Sequence, residues 1–145
     1  MVLIESFLHV RVVDPDIPNV FLAGGLISRL GSSEQKSNLL PKIISGENQM
    51  SVAFSEPQSR FNLSDVITSA KKDGDNYILD GYKSVVMNGP SSNFIIIVAR
   101  TSGKQLEEKG LTLFLLDPSL EGVSLRNYSN VDGSKASEVT LESVT

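Results

Sequence analysis

Residues 51–65 read SVAFSEPQSRFNLSD. An apolar, strand-like opening (Val52, Ala53, Phe54) runs without a break into a hydroxyl, a carboxylate and a proline (Ser55, Glu56, Pro57), then into Arg60 and Phe61. The stretch stands where the chain changes its period. Before about Asn48 apolar residues recur at helical spacing; after it they come in short runs of strand type. From the residues alone two readings stay open. The stretch is a solvated connection with ordinary turn chemistry, or it is a loop folded around a ligand.

Working toward the N-terminus, Ser32 and Gln35 have the spacing of a capping box, with Ser32 as N-cap and Gln35 at N3. The helix they open is expected to carry Leu39, Leu40, Ile43 and Ile44 inward and to end at Gly46, with Pro41 kinking or dividing it. Phe21, Leu22, Leu26 and Leu30 form an earlier helical stripe that Gly31 can cap. Gly24 and Gly25 inside that stripe cost about 1 kcal/mol each relative to Ala, which suggests close packing against their backbone. Val2, Leu3, Phe7 and Val10 suggest a further amphipathic turn, broken by the prolines at 15 and 18.

Toward the C-terminus, residues 66–72 and 77–80 flank Asp73-Gly74-Asp75, a hairpin signal. Asp80-Gly81 reads as a second, tighter hairpin opening a strand at 82–87. Residues 94–99 are apolar throughout, as in a strand buried on both faces, and residues 111–116 read similarly. Residues 123–128 and 138–141 are weaker strands, and 102–110 is an exposed hairpin loop. The expected fold is α+β: short N-terminal helices followed by a mainly antiparallel β-barrel or sandwich domain of about seven strands. Residues 139–144 still look like strand, so the chain reads as a piece of a longer protein.

Composition narrows the chemistry. The chain has 145 residues, 40% hydrophobic and 21% charged, which is globular usage. A net charge of −4 without a basic stripe argues against nucleic acid. With no cysteine and only His9, neither a thiolate nor a histidine metal site is expected. Residues 23–27 lack the Gly-x-Gly-x-x-Gly spacing and a preceding strand, so a dinucleotide fold is rejected. No apolar run is long enough to span a bilayer, and no cleavage site follows the apolar start. A cytoplasmic location is expected. Lys83 reads as an exposed strand lysine, and residues 107–109 as a solvated loop.

The order of motifs along the chain resembles that of the acyl-CoA dehydrogenases. Residues 30–36 and 39–47 resemble the end of that family's N-terminal helical domain, and Ser55-Glu56-Pro57 stands where the family has a Thr-Glu-Pro loop. Thr68-Ser69-Ala70, Asp73-Gly74-Asp75, Gly81-Tyr82-Lys83, Asn88-Gly89, Val98-Ala99-Arg100, residues 111–116 and Glu121-Gly122-Val123 continue the pattern in order. The resemblance implies residues 1–47 as the end of the helical domain and 48–145 as the middle β-barrel domain, with the C-terminal helical bundle absent. It implies FAD, an acyl-CoA substrate, and dehydrogenation across the α and β carbons, with a carboxylate taking the proton and the flavin the hydride. By analogy the electron acceptor is an electron-transfer flavoprotein, and the full-length protein is an oligomer.

Residue by residue, the resemblance assigns cofactor contact to Val52, Ala53, Phe54, Ser55, Glu56 and Pro57, with the Ser55 hydroxyl bonding the ring system, and to Val85, Val86 and Met87. The last three replace a Trp-Ile-Thr and supply neither indole nor hydroxyl. Phe61 falls on a serine that touches substrate in the family, and Arg60 is expected either to pair with an anionic group of FAD, CoA or a dicarboxylic acyl chain or to form a salt bridge within its own loop. Glu56-Pro57 with Ser59-Arg60-Phe61 is similar to the small-subunit type of pimeloyl-CoA dehydrogenase. The base normally lies in the C-terminal bundle, so no residue is assigned as catalytic, Glu56 included. The alternative is a degenerate β-domain that binds no flavin and serves as a structural or interaction module.

Overall fold

The computed structural model describes residues 16–145. His9 and the apolar positions at 2, 3, 7 and 10 lie outside the described residues. A π-wound turn, Ile17–Gly24, runs directly into α1 (Gly25–Leu30), and α2 (Ser33–Ile44) follows. The capping box is formed: Gln35 N–H donates to Ser32 Oγ at 3.1 Å, and Ser32 N–H to Gln35 Oε1 at 2.9 Å. Gly31 N–H donates to the Ile27 carbonyl at the end of α1. Pro41 sits inside α2 without dividing it.

Three expectations about the helices are corrected. Ile43 is buried but Ile44 is 82% exposed. In the earlier segment Ala23 and Ile27 face inward, with Leu22 and Leu26 packed beside them, while Phe21 and Leu30 are exposed. A stripe laid out for 3.6 residues per turn drifts when the first eight residues are wound more widely. Close packing does not account for the glycine pair either. A Cβ at Gly25 would meet open space, and one at Gly24 only ordinary contacts.

The strands are β1 (Met50–Ala53), β2 (Ser69–Asp73), β3 (Asn76–Met87), β4 (Phe94–Arg100), β5 (Leu111–Leu116), β6 (Val123–Ser129) and β7 (Lys135–Val144). They form one curled sheet in the order β1-β4-β2-β3-β7-β6, with β5 on the other edge of β4. The pairings β2–β3, β3–β7, β4–β5 and β6–β7 are antiparallel, and β1–β4 and β2–β4 are parallel. The second hairpin at Asp80-Gly81 is not there. β3 passes straight through Gly81, whose φ of +154° admits glycine most easily and whose added Cβ would lie 2.7 Å from the Thr68 Cα. The glycine serves a close crossing, not a turn.

β4 is buried on both faces, as its sequence predicts. Ile95, Ile97 and Ala99 point into the curl, with Ala53, Ala70, Leu79, Val86, Leu116, Val139, Leu141 and Val144. Ile96 points outward, where Met50 and Val52 of β1 meet Ala23, Ile27 and Ile43 of the helices. The buried Asn19 fastens the helices to the sheet: its Oδ1 accepts from Met50 N–H at 2.9 Å. Among the described residues no helix is long and apolar enough to cross a membrane.

Candidate functional site

β1 and β2 lie end to end along one edge of β4, Ala53 opposite Ile97 and Ser69 opposite Arg100. The chain between them, residues 54–68, leaves the sheet and returns. Its first residues lie beside β3, where Ser84 N–H donates to the Ser55 carbonyl at 2.9 Å and the two hydroxyls are 3.4 Å apart. Phe54, Val85 and Met87 flank this contact in sequence and are all exposed.

A β-bulge explains why Val85 and Met87 face outward. Lys83 pairs with Val139 and Val86 with Ser137, so three steps on β3 match two on β7. Strict alternation would put Lys83, Val85 and Met87 on one face. The extra residue breaks that parity: Lys83 and Val86 are both fully buried, and Val85 is turned out at φ +50°. A β-branched residue in that region is strained by about 1–3 kcal/mol, a cost characteristic of functional surfaces.

Lys83, expected on the surface, is therefore corrected to the interior. Its Nζ donates to Glu56 Oε1 at 2.7 Å, with side-chain exposures of 0% and 2%. Three further donors complete the carboxylate: Thr68 N–H on Oε1 at 3.0 Å, and Ile67 N–H and Gln58 Nε2 on Oε2, each at 2.8 Å. Burial pushes the Glu56 carboxyl up, but the Lys83 ammonium and the surrounding donors outweigh it and hold the group at about 2. Burial draws the Lys83 ammonium below its ordinary value against the pull of Glu56. The backbone of Glu56 is engaged as well, its N–H with Ser59 Oγ and its carbonyl with Ser59 N–H and Oγ.

The far side of the loop is held by Arg100, which sequence reading noted only as part of a pattern. Its guanidinium donates to the carbonyls of Ser64, Val66, Ser102, Gln105, Glu107 and Lys109, joining this loop to the exposed one at 101–110. Gln105 Nε2 adds a bond to Asp65 Oδ1 at 2.6 Å. On this fixed frame Arg60, at φ +47°, makes no ion pair among the described residues, and Phe61 is fully exposed.

The assigned residues thus sort by environment. Phe54, Ser55, Pro57, Val85 and Met87 have side chains available to a ligand, as do Arg60 and Phe61. The side chains of Val52, Ala53 and Val86 are taken up by the two cores, and that of Glu56 by its hydrogen bonds. Only the backbone of Val52, Ala53 and Val86 is left to face outward. Lys83, Ser84, Thr68 and Arg100 are the residues of this region that sequence reading missed. The Lys83–Glu56 partnership spans 27 positions, and no local pattern signals it.

Comparison with known proteins follows the same stretch. Residues 51–144 match the family model described as acyl-CoA dehydrogenase, middle domain. The chain is 35% identical over 118 residues to a 3-(aryl)acrylate reductase of Clostridium sporogenes, covering 79% of this chain and 31% of that protein. It is 34% identical over 110 residues to the mitochondrial isovaleryl-CoA dehydrogenase of Arabidopsis thaliana, covering 76% and 27%. A glutaryl-CoA dehydrogenase of Mycobacterium smegmatis, solved in complex with FADH2, superposes with a TM-score of 0.76 at 28% identity, covering 85% and 31%. The chain spans about a third of the length of such relatives.

Proposed function

The chain belongs to the acyl-CoA dehydrogenase family, and on that premise we propose that it supplies the FAD-facing wall and part of the acyl-CoA-facing surface of a flavin-dependent acyl-CoA dehydrogenase. One observation carries this reading. The Ser55–Ser84 contact and the bulge at Val85 present a hydroxyl and three apolar side chains outward, next to the buried residues of β1 and the buried Lys83 and Val86 of β3. That combination suits the face of a planar, largely apolar ring with polar edges. Phe54, Val85 and Met87 would lie against the ring, and the Ser55 hydroxyl would hydrogen-bond its edge. When bound, the flavin would accept the hydride of an α,β-dehydrogenation.

Glu56 is not the proton acceptor in this scheme. A carboxylate with four donors and a pKa of about 2 has almost no affinity for a proton at neutral pH. Its part is to hold the wall. The base would come from a C-terminal helical domain, as the family resemblance implies. On the same reading residues 1–47 end a helical domain and 48–145 form the β-domain. The whole protein would be a cytoplasmic oligomer that passes electrons to an electron-transfer flavoprotein.

Titrating FAD with the purified chain tests the wall. Saturable quenching of flavin fluorescence is expected, weakened by Ser55→Ala. FAD that stays free in the presence of both this chain and the longer protein containing it sinks the reading. That outcome would favour a structural or interaction module, to which one feature already points: Val85 and Met87 offer no hydrogen-bond donor where the family has Trp and Thr.

A further inference from the structure

We propose that the buried Glu56–Lys83 pair positions the candidate ligand wall, locking the 54–68 loop to the β3 bulge so that Phe54, Ser55, Val85 and Met87 form one surface. The ligand half of this inference rests on the reading of that wall as a flavin site. The loop and β3 are tied twice. On the wall, Ser84 N–H donates to the Ser55 carbonyl at 2.9 Å. One residue away on each strand, and beneath the surface, Lys83 Nζ meets Glu56 Oε1 at 2.7 Å. Glu56 also gathers donors from Gln58 in the loop and from Ile67 and Thr68 at its return, so one carboxylate fixes both ends of the excursion.

Stability alone does not explain a charge pair here. Replacing a buried ion pair by apolar residues of similar size is often neutral, because desolvation consumes the attraction. The distinctive contribution of such a pair is geometric. An ammonium and a carboxylate have one low-energy meeting point, whereas apolar side chains have many. On β3 this matters for register. The bulged residue is Val85, with no glycine to mark it, and a one-residue slip would bring Val85 inside and turn Val86 out. Lys83, held inward by Glu56, specifies which residue is displayed.

The test compares the full chain with the double variant Glu56→Gln/Lys83→Met, using Ile97→Val as a control for a general loss of core stability. The double variant is expected to melt no more than about 5 °C below the parent. Its Ser84 amide, whose own partner is untouched, should lose hydrogen-exchange protection by about tenfold or more beyond the loss in Ile97→Val. Its FAD dissociation constant should rise by about the same factor. Ser84 protection and FAD affinity equal to those of the parent, or lowered no more than in the control, overturn the proposal. Should the double variant fail to fold, Glu56→Asp keeps the charge on a shorter arm. Partial loss of Ser84 protection supports the proposal, and full protection overturns it. If not even the parent binds FAD, the proposed function falls, and the Ser84 amide still decides the role of the pair.

Discussion

The loop after β1 uses its polar side chains in two opposite ways. From Glu56 to Ser59 they turn back into the protein: the carboxylate takes four donors, and the Ser59 hydroxyl both accepts from and donates to the Glu56 backbone. At Arg60 and Phe61 they turn away, the guanidinium without an ion pair among the described residues and the ring fully exposed. A cluster of chemically capable residues is therefore not one site. Residues 56–59 are scaffold, and the part beyond Ser59 is what the scaffold displays. If that division holds, stranding one partner in the first half should cost stability, and damage to the second should appear only as lost binding.

The largest effect is expected from Lys83→Ala. It leaves the Glu56 carboxylate buried without its counter-ion, which costs about 3–5 kcal/mol. Urea unfolding measures it, and a loss under about 1 kcal/mol would break the comparison at its root.

Next comes acid. The Glu56 carboxyl titrates near 2 in the folded chain against an ordinary value of 4.5, so below pH 4.5 the unfolded chain takes up protons that the folded one refuses. The stability this confers is complete above pH 4.5 and lost progressively as the pH falls toward 2, about 3 kcal/mol in all. Urea midpoints compared between pH 5 and pH 3 should fall in the parent and change less in Glu56→Gln. Equal slopes in the two proteins would remove Glu56 from the scaffold.

Gly81→Ala follows. Its Cβ would lie 2.7 Å from the Thr68 Cα, at the point where the loop returns beneath β3. Overpacking of this kind costs about 1–3 kcal/mol, with φ strain added. A neutral substitution would mean that the two strands separate easily, and that the loop is not fixed at its return.

The same division describes what could be read from the residues. Periodic and local features were legible: the Ser32–Gln35 box, the doubly buried β4, the strand at 111–116 and the run of strands after Asn48. Each is decided by neighbours within a few positions. The scaffold half of the site was not legible. Lys83 looks like a surface lysine until the bulge reverses its parity, and the bulge carries no glycine. Arg100 looks like a strand terminus until two loops bring six carbonyls to it. The displayed half, Arg60 and Phe61, was read from the family resemblance. The structure adds that their side chains are exposed on a braced loop.

The smallest effects on stability, and the most informative, belong to that displayed half. Arg60→Ala and Phe61→Ala should each shift unfolding by no more than about 0.5 kcal/mol, because neither side chain is buried against the fold. Any larger loss would make Arg60 and Phe61 part of the scaffold and erase the comparison. Binding should respond differently. On a fixed loop a guanidinium with no ion pair among the described residues has its backbone already ordered, and its planar fork suits phosphate or carboxylate. Arg60→Ala should therefore weaken FAD or acyl-CoA, and Arg60→Lys should restore only part of the loss, since a point charge cannot make the two-pronged contact. Calorimetric titration of each ligand separates the cases. Loss confined to FAD places the anion on the cofactor, loss confined to acyl-CoA places it on the substrate, and unchanged affinity for both removes Arg60 from the site.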